Sequence, residues 1–201
     1  MRTTFAAALL ATAFLLVSTP ANVAAQARSW SDPTGFHVGL NAGPASIEYD
    51  ADTQTDSGPA FGLTAGWGII NLITAYIEIG GANLDGLLSG DPYAAANFDI
   101  GARFNILDKG KKVRPYALAA FTGVATDRDI AGAVQTIAGS GLALGGGVTY
   151  FFSRKVAVDA GFKVSSVTFT EADRNGVKTT IDLASTATRF TVGMNYWHGY
   201  R

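Results

Sequence analysis

Between Asn97 and Ile106 the chain reads NFDIGARFNI, and polarity alternates residue by residue. Phe98, Ile100, Ala102 and Phe104 form one set, and Asp99, Gly101, Arg103 and Asn105 form the other. A period of two places the sets on opposite faces of a β-strand. Seven further segments divide the same way. Their apolar sets are Phe36, Val38 and Leu40; Phe61, Leu63, Ala65 and Trp67; Ile73, Ala75, Ile77 and Ile79; Tyr116, Leu118 and Ala120; Leu142, Leu144, Gly146, Val148 and Tyr150; Val156, Val158, Ala160, Phe162 and Val164; and Phe190, Val192, Met194 and Tyr196. The opposite sets are small, polar or charged, from His37, Gly39 and Asn41 in the first strand to Thr191, Gly193 and Asn195 in the last. In the fifth strand the inner set is read as Ala117, Ala119 and Phe121. No segment carries a helical period instead.

The connections decide which face meets water. Three are short: GIIN after the second strand, ILDKGKKVR after the fourth and FFSRK after the sixth. Four are long, at 42–60, 81–95, 124–139 and 170–187. Short turns at one end and long loops at the other describe an up-and-down barrel that crosses an outer membrane. The long connections hold Glu48, Asp50, Asp52, Asp56, Asp85, Asp91, Asp127, Asp129, Glu171, Asp173 and Asp182, against Arg128, Arg174 and Lys178. The short-turn end is basic, with Lys109, Lys111, Lys112, Arg114, Arg154 and Lys155 against the single acid Asp108. On the apolar face, Phe36, Trp67, Phe104, Tyr116, Tyr150 and Tyr196 all fall beside the short turns. Six rings at one level are expected to form a periplasmic aromatic girdle.

Composition agrees with an inverted arrangement. Charged residues make up 15% of the chain, below the roughly 25% of a soluble domain. There are 24 glycines, and glycine inside strands fits a narrow barrel interior where space is tight. Phe5–Val17 is an apolar run behind Arg2, followed by the small residues of ANVAAQA. The run is too short to span a bilayer and matches the core of an export signal. Residues 1–27 are therefore expected to be a signal peptide cleaved after Ala25 or Ala27, and residues 28–201 the barrel domain.

Candidate chemistry is sparse. There is no cysteine, and the net charge of -1 gives no footprint for nucleic acid. No cofactor or metal motif is present: DTQTD (52–56) lacks the glycine and distal glutamate of a calcium loop, and GSGLALGGG (139–147) lacks the lysine of a phosphate loop. Glu78, Asp99, Arg103, Asp159, Lys163 and Arg189 lie on the inner face, three acids and three bases. Isolated ions there would be costly. The six are expected to form a paired network that plugs the lumen, with Asp99 and Arg103 a buried pair. A glycosidase would need free paired carboxylates and room for a sugar. A lipid hydrolase would need a serine beside His37 or His198, and no serine sits two residues from either histidine on the lipid-facing side. No enzyme is expected.

In these strands, in VRPYALAAFTGVA (113–125) and in the last strand, the chain resembles the small eight-stranded outer-membrane β-barrels of Gram-negative bacteria, which include the OmpA membrane domain, OmpX and the opacity-type proteins. The resemblance covers almost all of the mature chain. It implies an eight-stranded antiparallel up-and-down transmembrane β-barrel with a polar packed interior, in the bacterial outer membrane. Family members end in a strand read by the outer-membrane assembly machinery. In TVGMNYWH, Thr191, Gly193 and Tyr196 match that signal, and His198 stands where phenylalanine is usual. The implied protein is a monomer without cofactor or catalysis. Its partners are outer-membrane lipid, lipopolysaccharide, the assembly machinery and an extracellular partner of the four loops. Its roles would be envelope integrity, surface interaction or adhesion. Three alternatives are a narrow porin or conduit for small hydrophobic molecules, a lipid-modifying hydrolase and a soluble exported barrel with an apolar interior.

Overall fold

A computed structural model describes residues 33–50, 55–86, 92–106, 110–130, 133–174 and 176–198. The export signal expected at residues 1–27 lies outside them, as do Asp52, Asp91, Asp108 and Lys109. Eight strands follow in chain order: β1 (Gly35–Tyr49), β2 (Thr55–Ile70), β3 (Ile73–Asp85), β4 (Pro92–Asn105), β5 (Val113–Ile130), β6 (Ala133–Phe151), β7 (Val156–Arg174) and β8 (Val177–His198). Each pairs antiparallel with the next, and β8 returns to β1, closing the barrel. Closure gives backbone groups a ladder partner on both sides, which a lipid environment requires.

The alternation seen in NFDIGARFNI becomes a division between outside and inside. Leu40, Phe61 and Leu144 are each about two-thirds exposed on the outer wall, while Asp99 and Ala143 are fully buried in the lumen. In a water-soluble barrel these positions would be reversed.

β5 faces the other way from the expected assignment. Tyr116 is buried inside the lumen, not in the girdle, and Ala120 is buried with it, while Phe121 is strongly exposed on the outer wall. Both sets of β5 are apolar, so polarity alone does not choose between them. Space and hydrogen bonding do. The Tyr116 hydroxyl donates to Asp159 Oδ1 at 2.7 Å. A Cβ added to Gly147 or Gly161 would sit 2.6 Å from that hydroxyl, so these two glycines make room for the ring.

The long connections expected from sequence are largely strand. β7 and β8 run for 19 and 22 residues, against the roughly 9–11 needed to cross a bilayer. They join through Gly176, whose φ of 81° suits glycine in a tight turn. The strands were hidden because their polarity inverts partway along. In β1, Phe36, Val38 and Leu40 point out and His37 and Asn41 point in, but higher up Ile47 and Tyr49 point in and Glu48 points out. β7 repeats this, with Phe162 out and Lys163 in below, and Val167 and Phe169 in above. Below the switch the barrel is built for lipid; above it, for water.

Candidate functional site: the lumen layers and the outer strand extensions

The lumen is filled in layers. At the short-turn end, His37 stacks on Trp197 with ring centroids 4.2 Å apart. Phe151, Ala157 and Trp197 form a buried cluster there, and buried Arg114 donates to the Asn71 carbonyl at 2.8 Å. Among the described residues, no serine hydroxyl hydrogen-bonds His37 or His198, and no group of three His, Asp or Glu is placed to hold a metal.

The ionic layer lies above. Arg103 Nη1 donates to Asp159 Oδ2 at 3.0 Å, and the same carboxylate accepts from Thr149 and Tyr116. The Arg103 guanidinium also sits 4.0 Å over the Tyr116 ring, a cation–π contact. Lys163 bridges Glu78 at 3.0 Å and Asp99. Arg189 joins Glu78 at 3.0 Å and Asn41 at 2.8 Å. Asn41 and Thr64 donate to the second Glu78 oxygen.

The structure thus brings all six predicted charges together, but the partners differ from those expected. Asp99 pairs with Lys163 and Arg103 with Asp159, each across the lumen between β4 and β7, so Asp99 and Arg103 are not a pair. Side chains this long reach across an eight-stranded barrel, whose interior is only wide enough for its own side chains. Asp99 and Arg103, four residues apart on one strand, point the same way, toward the far wall.

The third layer is apolar. Ile47, Tyr49, Leu84, Tyr93, Val167 and Phe169 form a buried cluster in the outer part of the barrel. Its polar tips are tied together: Tyr93 donates to Asp56 at 2.9 Å and lies 3.3 Å from the Tyr49 hydroxyl. Small cavities remain between the packed side chains. A polar one of about 40 Å³ lies among Glu78, Arg103, Tyr116 and Asp159. An apolar one of about 60 Å³ lies between Lys163 and Arg189 below and Ile47 and Leu84 above.

Of the expected girdle, Phe36, Trp67, Phe104, Tyr150 and Tyr196 stand on the outer wall. Tyr116 is the exception described above. Thr191, Gly193, Tyr196 and His198 lie in the periplasmic half of β8. On the extensions of β7 and β8, Lys178 and Glu171 form an exposed pair at 2.6 Å, and the carboxylate raises the lysine pKa above its ordinary value. The outer apolar layer goes beyond the sequence expectation, because its strands fall within the long connections. The signal was present in the sequence: IEY (47–49) and VTF (167–169) alternate as cleanly as the membrane segments do.

A closed ring of eight strands with an apolar outer wall and a charged lumen is the build of a small outer-membrane barrel. The family model of the outer membrane protein beta-barrel domain matches residues 7–196, and the chain belongs to that family. Its place is the bacterial outer membrane. Neisserial surface protein A has the same fold at 19% identity and a TM-score of 0.64, over 82% of this chain and 97% of that one. OprG of Pseudomonas aeruginosa matches at 13% identity and a TM-score of 0.59, over 85% and 99%. Ail, the attachment invasion locus protein of Yersinia pestis, matches at 15% identity and a TM-score of 0.51, over 81% and 98%. Among curated proteins, none matches the chain in sequence.

Proposed function

We propose that the protein is a non-catalytic display barrel that holds four strand hairpins at the cell surface, for adhesion, surface interaction or envelope integrity. The observation that carries this reading is the layered lumen. An aromatic layer, a paired ionic layer and an apolar layer succeed one another along its axis. The largest investment of chain goes instead into strands longer than a bilayer requires. The name of Ail, the attachment invasion locus protein, is in keeping with such a role. In this reading lipid and lipopolysaccharide surround the outer wall. The girdle aromatics sit at the periplasmic interface, and the assembly machinery reads the end of β8.

A second reading is favoured by the apolar cavity above Lys163 and Arg189: a narrow conduit for small hydrophobic molecules. Two measurements separate them. An impermeant thiol reagent should label Asp182→Cys on intact cells, since the chain has no cysteine of its own. Planar bilayers holding the purified protein should stay silent. Stable conductance, or uptake of small apolar solutes that depends on the protein, would favour the conduit.

A further inference from the structure

The hydrogen-bonded ring is uneven at one seam. β8 begins at Val177, yet its pairing with β1 begins only at Ser185, opposite Tyr49. Among the described residues, the last bond of that seam runs from Asp50 N to the Ala184 carbonyl at 3.0 Å. Residues 177–183 keep β7 on one side, where Lys178 pairs with Asp173 and Thr180 with Glu171. On the other side they meet no described strand. The outer ends of the other three seams leave no more than three residues unpaired.

Among the described residues this edge is unpaired, and an unpaired edge is a template for another strand. In a strand, backbone groups that face one side recur every second residue. Ala184 directs its carbonyl to the β1 side. The β7–β8 register shifts between Phe169 and Glu171, but β8 keeps its alternation through it: Leu183 and Ile181 are half-buried, Ala184 and Asp182 are exposed, and Thr179 lies opposite buried Ala172. Asp182, Thr180 and Lys178 therefore present their N–H and C=O groups to the β1 side, and their side chains are exposed. The edge reads VKTTIDL. Laid antiparallel to itself about Thr180, it sets Lys178, which also pairs with Glu171 of its own chain, against Asp182 twice, and every outward-facing backbone group meets a partner. Shifting the register by two residues in either direction loses this match. Asp182 makes no ion pair among the described residues.

We propose that this edge docks a second copy of the chain, with the two β8 edges pairing antiparallel about Thr180. About six backbone hydrogen bonds and two Lys178–Asp182 pairs hold the contact, which is isologous. The two-fold axis of two antiparallel neighbours is normal to the sheet. In a barrel wall that direction lies in the membrane plane, so the rotation inverts the membrane normal. The two copies therefore sit in facing membranes: the contact joins cells, not neighbours in one bilayer. Many weak contacts between two surfaces add up through multivalency. The inference rests on the display reading above.

The test uses the full mature chain in phosphatidylcholine vesicles, followed by light scattering at low salt. Wild-type vesicles should cluster. Lys178→Asp vesicles alone should stay dispersed, and so should Asp182→Lys vesicles, because each sets like charges opposite one another. Mixed together, the two variants should cluster again, since each now complements the other. Thr180→Pro, which removes the central donor, should abolish clustering in every combination. Heat-modifiable migration on gels checks that each variant is folded. Dispersed wild-type vesicles, clustering indifferent to charge reversal or a mixture that stays dispersed would overturn the proposal. Clustering only after addition of an unrelated extended peptide would transfer the edge to a different partner. If Asp182→Cys is labelled on intact cells while wild-type vesicles stay dispersed, surface display stands and the homotypic contact falls.

Discussion

The lumen of this barrel holds two layers that follow opposite rules. In the ionic layer, Glu78, Asp99, Arg103, Asp159, Lys163 and Arg189 are inside, and Ile77, Ile79, Phe98, Ile100 and Phe162 are outside. In the apolar layer, Ile47, Tyr49, Leu84, Tyr93, Val167 and Phe169 are inside, and Glu48, Asn83 and Asp85 are outside. The same strands run through both. The difference lies in the solvent: hydrocarbon surrounds the first layer and water the second. Apolar side chains gain by leaving water, so above the membrane they turn inward, as in any soluble barrel. At membrane depth there is no water outside to leave, and polar groups collect where they can pair with one another. The level at which side chains change places marks the outer boundary of the bilayer. In β1 it falls between Leu40 and Ile47.

Substitutions in the two layers separate these rules. The largest effect is expected for Lys163→Met. It leaves Asp99 and Glu78 without their shared cation, and removing one partner of a buried pair costs on the order of 3–5 kcal/mol. Urea unfolding of the barrel in vesicles, followed by heat-modifiable migration, measures it. Little change would mean that the ionic layer is hydrated rather than packed. Next comes Phe169→Ala in the apolar layer, where loss of a fully buried ring costs about 3 kcal/mol. The smallest is Tyr116→Phe, which removes one hydrogen bond to a carboxylate, about 2 kcal/mol. If Tyr116 stood in the girdle instead, the same change would be nearly neutral.

Much of this was legible in the sequence wherever the two faces of a strand differ in polarity. NFDIGARFNI assigns its own faces, because Asp99 and Arg103 share one of them. β5 did not, because Tyr116, Leu118 and Ala120 are as apolar as Ala117, Ala119 and Phe121. Extending the pattern by one residue pair at each end would have resolved it: Arg114 and Thr122 fall in register with Tyr116, and both are buried. The strand extensions were missed for a different reason. A strand that leaves the membrane exchanges its faces, and a pattern followed for one face appears to stop at that point. The charge partners were beyond sequence altogether. Periodicity says that Asp99 points into the lumen, but which cation it meets depends on shear and tilt, which place β7 across from β4.

The exchange of faces along a single strand is tested most directly by nitroxide scanning of β1. The natural chain has no cysteine, so one cysteine at a time can be introduced at Val38, Leu40, Ile47 and Glu48 and labelled in vesicles. Oxygen collisions report lipid exposure, and collisions with a polar nickel complex report water. Labels at Val38 and Leu40 should be accessible to oxygen, the label at Glu48 to nickel, and the label at Ile47 to neither. A label at Glu48 that behaves like the one at Leu40, or a label at Ile47 open to either reagent, would contradict the inversion.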